Sequence, residues 1–417
     1  MNPAFLTPRA QCRPGVLDLT LWTFIALLPC QVEIVVDLRL APSDFFLILA
    51  VILGAASLRL VTHAWSIWLF CVPAVIIGGA FLAAVERGQL SRYVIVNKCI
   101  GIAVLLVFYM LVTTVARSWP QIHTLLRIFV ASVVIQNWAA MAAFLAGRVF
   151  GFYLPLLNGN PYRLCGMLVD ANGYGGLLIV ALVLNEVVAS GPRPLFSRTF
   201  TNIATTTLLL GIVLTFSRSS WLSLATVWFA SLLLRRRVAL RIAAFACTAL
   251  IIVPFLGSSA LVYARAMASR PSQVLQRFDI IFEAFHYFSQ QPFFGIGLGG
   301  FLDRENVIVH NTALWFLAEF GIFGFLVLMG FLLSIFWNGF VAYRLAPAAQ
   351  QPILLALLLA HLAMCALSLG IEAFYMRPWW LIFALIGSAY SIVVQPAAPP
   401  WRLPIPVPQP VCNESRI

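Results

Sequence analysis

The chain has 417 residues, of which 62% are hydrophobic and 10% are charged, and its mean hydropathy is +0.97. Soluble domains carry about 45–50% apolar and about 25% charged residues, so this composition excludes an ordinary water-soluble enzyme. The net charge of +12 is spread over many short loops. That distribution argues against nucleic acid as a partner and favours anionic lipid or phosphate.

Apolar runs follow one another along the chain and predict membrane spans. A helix needs about 20 apolar residues to cross the hydrocarbon core of a bilayer. Because no polar stretch is long enough to build a second core, we expect an all-α fold with one integral membrane domain over residues 1–417. The sequence predicts about twelve spans, at 16–36, 43–60, 64–85, 93–116, 122–146, 171–190, 200–216, 219–234, 238–256, 311–337, 352–370 and 375–394.

Two loops between the predicted spans are long enough to contain a site. The first, 147–170, is rich in turn residues. The second, 257–310, has apolar residues at helical spacing around Phe278 and Phe285, which is typical of an amphipathic helix at a membrane surface. The distribution of Arg favours a cytoplasmic N-terminus, which places both loops outside and the Pro-rich tail, 395–417, in the cytoplasm.

The stretch after the predicted surface helix contains the first candidate catalytic residue. Its G-x-G-x-G-G element at 295–300 follows an aromatic helix rather than a strand, so we interpret it as a hinge and not as a nucleotide-binding loop. His310 and Asn311 then stand at the entrance of the tenth span. A histidine with an ordinary pKa near 6.5 can take a proton from a hydroxyl at neutral pH. The alternative is an interfacial histidine that caps the helix.

Several arginines are candidate ligands for phosphate. Arg218 lies between two spans and has little freedom to move, which suits paired hydrogen bonds from its guanidinium to phosphate oxygens. The alternative for this residue is an arginine that stops translocation or snorkels to the interface. The outer loops add four more candidates, for which a solvated structural role is the alternative: Arg163, Arg265, Arg270 and Arg277. The eight cysteines show no C-x-x-C pairing and predict neither a metal site nor a disulfide framework.

Three segments resemble the signature regions of the bacterial O-antigen ligase and O-antigen polymerase superfamily. They are RLCGMLVDANGYGG from residue 163, LTFSRSSWLSL from residue 214, and PFFGIGLGGF from residue 292 followed by HNTALWFLAEFGIFG from residue 310. Their order, their spacing and the twelve-span plan agree with that superfamily.

The resemblance implies a C-type glycosyltransferase-like fold in the bacterial inner membrane, with a moderate periplasmic loop and an active site facing the periplasm. The donor would be a glycan on undecaprenyl diphosphate. Arg218 resembles the arginine that binds the donor diphosphate, Arg277 the arginine of the long periplasmic loop, and His310 the essential histidine. The resemblance further implies an inverting glycosyltransferase that needs neither metal nor cofactor, and the chain has no D-x-D pair.

The identity of the acceptor stays open at the level of sequence. Ligation of O-antigen to lipid A core is the favoured reaction, with polymerisation of O-antigen, capsule or exopolysaccharide as the alternative and protein glycosylation as a third. A secondary transporter or flippase is the alternative from another functional class. Transporters place ionisable groups near the midplane of the membrane, whereas the candidate groups of this chain gather at one face. The hypothesis requires Arg218, Arg277 and His310 to meet in one outward hollow, assisted by Arg163, Arg265, Arg270 and Asn311.

Overall fold

The computed structural model of the protein describes residues 15–31, 41–54, 67–88, 91–160, 162–168, 170–252 and 271–394. Of these residues 79% are helical and none lies in a strand. The predicted all-α fold is therefore confirmed for the described part of the chain. The predicted Pro-rich tail, 395–417, lies outside the described residues.

Each apolar run that was predicted as a span contains a described helix. A π-helical segment, Val94–Ile100, leads directly into α4. The α-helices are α1 Val16–Leu27, α2 Pro42–Gly54, α3 Ile67–Arg87, α4 Gly101–Val115, α5 Trp119–Phe150, α6 Ala171–Ala189, α7 Arg198–Leu214, α8 Arg218–Leu234, α9 Arg236–Ile252, α10 Pro271–Gln290, α11 Gly300–Glu305, α12 Thr312–Leu345, α13 Gln351–Leu367 and α14 Arg377–Val394.

Within the described ranges, six helical segments are long and apolar enough to cross a membrane. The chain is therefore a multi-pass membrane protein, and the remaining six of the twelve predicted spans stay predictions. Four further apolar helices have between 10 and 17 residues, namely α1, α2, α7 and α13. The six candidate spans are Ile67–Arg87, Val94–Val115, Trp119–Phe150, Ala171–Ala189, Thr312–Leu345 and Arg377–Val394.

Helix α6 is the centre of the bundle and is buried along almost its whole length. It packs against α7, α8 and α13. Small residues allow these close contacts, since lipid tails are as apolar as leucine and helices in membranes associate through tight packing. A Cβ atom added to Gly175 of α6 would lie 2.7 Å from the Cβ atom of Ser220. Glycine at this position therefore sets how closely the start of α8 approaches α6.

Helix α12 is broken where the glycine-rich loop docks onto it. Gly321 has φ 63° and ψ −161°, which an L-residue with a side chain rarely adopts. The Ile322 amide donates to the Pro292 carbonyl at 2.8 Å, and the Ile296 amide donates to the Ala318 carbonyl at 3.0 Å. The loop from Pro292 to Gly300 thus turns back onto the broken helix, as the hinge interpretation predicts. The sequence predicted one continuous span here and gave no sign of the break.

A helix is present where the sequence predicts one, as α10, and it packs alongside α12. Its position at a membrane surface stays a prediction. Within α10, Ile280 and Ala284 are buried, whereas Phe278, Phe282 and Phe285 are exposed. Two candidate arginines of the same loop, Arg265 and Arg270, lie outside the described residues.

Candidate functional site

The candidate site forms at one end of the bundle, where several helix ends meet. The N-termini of α6, α8 and α12 lie beside the C-termini of α7 and α13. The Leu164 amide donates to the Leu214 carbonyl at 3.0 Å, and the Thr312 amide donates to the Ser368 carbonyl at 2.9 Å. The Ser220 hydroxyl donates to the Asn172 carbonyl at 3.3 Å. These bonds connect the loops that carry the predicted site residues.

Arg218 is the first residue of α8 and is held by a strained turn. Phe216 has φ 48°, in the left-handed region that bulky residues rarely occupy. Such strain clusters at functional sites and costs of the order of 1–3 kcal/mol. Ser217 caps the helix by accepting a hydrogen bond from the Ser220 amide at 3.2 Å. The exposed Arg218 guanidinium therefore stands at a helix N-terminus, where amide groups and the helix dipole also favour anions.

Arg163 stabilises this turn through hydrogen bonds. Its Nε donates to the Thr215 carbonyl at 2.8 Å, and its Nη2 donates to Asn172 Oδ1 at 2.9 Å. Asn160 Oδ1 accepts from the Arg163 amide at 3.0 Å. These bonds tie the first outer loop to the turn before Arg218 and to the start of α6. Arg163 is therefore arranged to position the Arg218 turn.

Arg277 and His310 line one small cavity of about 50 Å³, together with Asn311, Leu314 and Gly370. The side chain of His310 reaches solvent, yet the atoms packed around its ring lower the pKa of His310 below its usual value of 6.5. The positive charge of Arg277 lowers that pKa further, whereas the carboxylates of Asp170 and Glu372 oppose the shift. His310 is thus largely the neutral imidazole at pH 7 and can accept a proton.

Asn311, and not His310, caps α12. Asn311 Oδ1 accepts from the Leu314 amide at 3.0 Å, and Asn311 Nδ2 donates to the Leu369 carbonyl at 3.0 Å. The alternative interpretation of His310 as the helix cap is therefore wrong. Because Asn311 directly follows His310, its side-chain amide also connects this part of the chain to the segment that follows α13.

Gly370 joins the Arg218 turn to the cavity. It lines the cavity with Arg277 and His310, and it lies directly against the start of α8. A Cβ atom added to Gly370 would lie 2.8 Å from the Cβ atom of Ser219, the residue after Arg218. Burial lowers the pKa of Arg277, and the positive charge of Arg218 lowers it further, while Asp170 opposes both effects. Arg277 therefore interacts electrostatically with both Arg218 and His310.

Sequence reasoning missed an acidic residue at this site. Asp170 caps α6, because its Oδ2 accepts from the Gly173 amide at 2.9 Å and its Oδ1 accepts from Asn172 Nδ2 at 3.0 Å. Its carboxylate is exposed and acts electrostatically on both Arg277 and His310. An aspartate directly before an apolar run is a typical helix cap, which could have identified this role. Its proximity to Arg277 comes only from the fold.

Among the described residues, no set of three or more His, Cys, Asp or Glu side chains is arranged to hold a metal ion. What converges at the site is a set of cationic and hydrogen-bonding groups. Such a set is suited to binding an anion and moving one proton.

A family model described as O-antigen ligase matches residues 203–329. The matched segment runs from α7 into α12 and contains Arg218, Arg277 and His310. The resemblance to the O-antigen ligase and O-antigen polymerase superfamily is thereby confirmed. No curated protein matches the chain.

Proposed function

We propose that this multi-pass membrane enzyme of O-antigen ligase or polymerase type transfers a glycan from undecaprenyl diphosphate to a sugar hydroxyl. The transfer takes place at the periplasmic face of the inner membrane, in a C-type glycosyltransferase-like fold, and the favoured acceptor is lipid A core. The observation that carries the proposal is the convergence of Arg218, Arg277 and His310 at one end of the bundle.

The two arginines bind the donor diphosphate. Without an anion, the charges of Arg218 and Arg277 repel each other, which is the second cause of the lowered pKa of Arg277. A diphosphate between them replaces repulsion with charge-assisted hydrogen bonds, and the amides at the start of α8 add further donors. The arginine pair supplies the charge stabilisation that a divalent ion supplies in other transferases. Removing a single donor of this kind typically costs about 2.7–4 kcal/mol of transition-state stabilisation.

His310 accepts the proton of the acceptor hydroxyl. The hydroxyl oxygen attacks the anomeric carbon from the side opposite the diphosphate, and a new glycosidic bond forms as the bond to the phosphate oxygen breaks. The proton passes to the neutral imidazole, and undecaprenyl diphosphate leaves with the bonding electron pair. The anomeric configuration is inverted. Because diphosphate is a good leaving group, the protein needs mainly to position the partners and stabilise negative charge.

The lipid tail of the donor lies between spans. An apolar groove of about 610 Å³ between α3 and α12 supports this part of the proposal, and its wall includes Gly78, Phe81, Phe294 and Phe323. Helices α10 and α12 run side by side from the cavity toward the loop that carries Phe294. A chain that leaves the diphosphate site along these helices therefore stays in apolar surroundings.

Deleting the protein and separating surface polysaccharide on a gel tests the function. Free lipid A core together with unattached long chains is the result expected for the ligase. Core that carries a single repeat indicates an O-antigen polymerase, and intact lipopolysaccharide with missing exopolysaccharide indicates a polymerase for another polymer. Unchanged surface polysaccharide would contradict the proposal and would favour the alternative hypothesis of a transporter.

A further inference from the structure

The only lysine of the chain is buried beside the candidate site. Lys98 has 3% of its surface exposed and lies in the π-helical segment Val94–Ile100. Its ammonium is ion-paired with Glu372. Three aromatic rings surround it, with centroids at 4.2 Å for Trp315, 4.8 Å for Tyr375 and 5.5 Å for Tyr93. A buried ammonium is costly unless it is paired, and π-helical turns occur frequently at functional sites.

Glu372 belongs to segment 368–376, which connects α13 to α14. This segment is fastened to the beginning of α12 by several hydrogen bonds. The Ala373 amide donates to Thr312 Oγ1 at 3.0 Å, and the Thr312 hydroxyl donates to the Ile371 carbonyl at 3.3 Å. Asn311 adds its bond to the Leu369 carbonyl. Any displacement of segment 368–376 therefore moves the chain on which His310 stands.

The same segment also contacts the Arg218 side of the site. Gly370, which precedes Glu372 by two residues in the chain, lies against Ser219. Glu372 is the single charged residue between 368 and 376. Its ion pair with Lys98 fixes the segment to the start of the span Val94–Val115. The Tyr375 hydroxyl adds a second tie, since it donates to the Lys98 carbonyl at 3.2 Å.

We infer that the Lys98–Glu372 ion pair positions the two halves of the site relative to each other. It holds segment 368–376 so that Gly370 keeps the Arg218 turn beside the cavity of Arg277 and His310. Neither side chain lines that cavity, so the pair does not touch the substrate. It acts through Gly370 and Asn311, and the Glu372 carboxylate also acts electrostatically on His310. This inference rests on the proposed glycan transfer.

The experiment compares the neutral double variant Lys98→Met with Glu372→Gln against the wild type in a purified transfer assay. Replacing both members of a buried ion pair by neutral residues leaves neither member as an unpaired charge, and such a replacement is often neutral for stability. We expect the double variant to reach the membrane in normal amount with an unchanged melting temperature. We expect its kcat to fall about 100-fold, the order of loss that a misplacement of about 1 Å causes. The KM for the lipid-linked donor should change less than about threefold, because both arginines remain.

Two further variants separate positioning from simple neutralisation of charge. Glu372→Asp keeps the charge and shortens the side chain by one methylene, so it should lower kcat, whereas Lys98→Arg should keep most of the activity. The control is the ion pair of the buried Glu186 with the partly exposed Arg241, at the opposite end of α6. Its neutral version, Glu186→Gln with Arg241→Met, should leave kcat unchanged.

The outcomes distinguish the two proposals. A folded double variant with wild-type kcat overturns the positioning role and leaves the transfer function intact. The same conclusion follows if the control pair loses as much activity as the Lys98–Glu372 pair, or if Glu372→Asp is fully active. Absence of transfer by the wild type itself, with a verified donor and acceptor, overturns the proposed function.

Discussion

Gly370 offers the sharpest test of how the site is assembled. Its Cβ-free backbone lies against Ser219, and a Cβ atom added there would lie 2.8 Å from the Ser219 Cβ atom, with the hydroxyl closer still. Rotation of the hydroxyl relieves the second clash but not the first. Ordinary contact begins at 3.4 Å, so Gly370→Ala must separate the two backbones by the difference, about 0.6 Å. The Arg218 turn then moves away from the cavity of Arg277 and His310.

This displacement sets the expected size of the effect. A misplacement of about 1 Å costs about 100-fold in rate, so a shift of about 0.6 Å should cost of the order of 10-fold in kcat. The assay is transfer of a defined glycan from its undecaprenyl diphosphate to the acceptor by purified protein. The control is Gly54→Ala in α2, where the new Cβ atom would meet Leu17 Cδ1 at an ordinary 3.5 Å.

A second substitution tests the cause. Ser219→Gly removes the Cβ atom that clashes, and the Ser219 Cα atom would then be an ordinary 3.6 Å from the new side chain. Gly370→Ala combined with Ser219→Gly should therefore recover most of the lost activity. Full activity of Gly370→Ala alone would refute the reasoning, as would a loss that Ser219→Gly does not rescue.

Arg218→Lys keeps the charge but loses the planar fork, so kcat/KM for transfer should fall by about 10-fold or more, and a rate equal to that of the wild type would exclude a bidentate contact. The control, Arg304→Lys at an exposed position of the short helix α11, should leave kcat/KM unchanged. His310→Ala should abolish transfer without loss of membrane-inserted protein, and the matched control His286→Ala on α10 should stay active. In the pH dependence of kcat/KM, the acidic limb should lie below pH 6.5, since the pKa of His310 is lowered. Arg277→Met should move that limb to higher pH, because it removes a positive charge near His310. A limb that stays in place would contradict the electrostatic interaction between Arg277 and His310. A chelator should leave transfer unchanged, and inhibition that Mg²⁺ reverses would contradict the metal-free mechanism.

Much of the fold could be predicted because apolar length is a local property of the sequence. The same holds for Arg218 and His310, which interrupt apolar runs, and for Arg277, which lies on an amphipathic stretch. Each carries its signal within about 20 residues. The break of α12 at Gly321 escaped prediction because it depends on a loop folding back onto the helix.

The supporting contacts could not be predicted for a physical reason. Lys98 and Glu372 are separated by 274 positions, and neither lies in a pattern that points to the other. The predicted contact of Arg163 and Asn311 with substrate stays a prediction. What the structure adds is that each donates to a backbone carbonyl, of Thr215 and Leu369 respectively. Backbone carbonyls occur at every residue, so no sequence pattern marks these partners.

Binding of undecaprenyl diphosphate to the purified protein tests the central claim most directly, because the two arginines are proposed to hold a single diphosphate. We expect Arg218→Met and Arg277→Met each to weaken binding by about 10- to 100-fold, the range for hydrogen bonds to charged groups. The double variant should lose less than the product of the two single effects, since both contact one ligand. His310→Ala should bind normally. Affinity that neither arginine substitution changes would contradict the account.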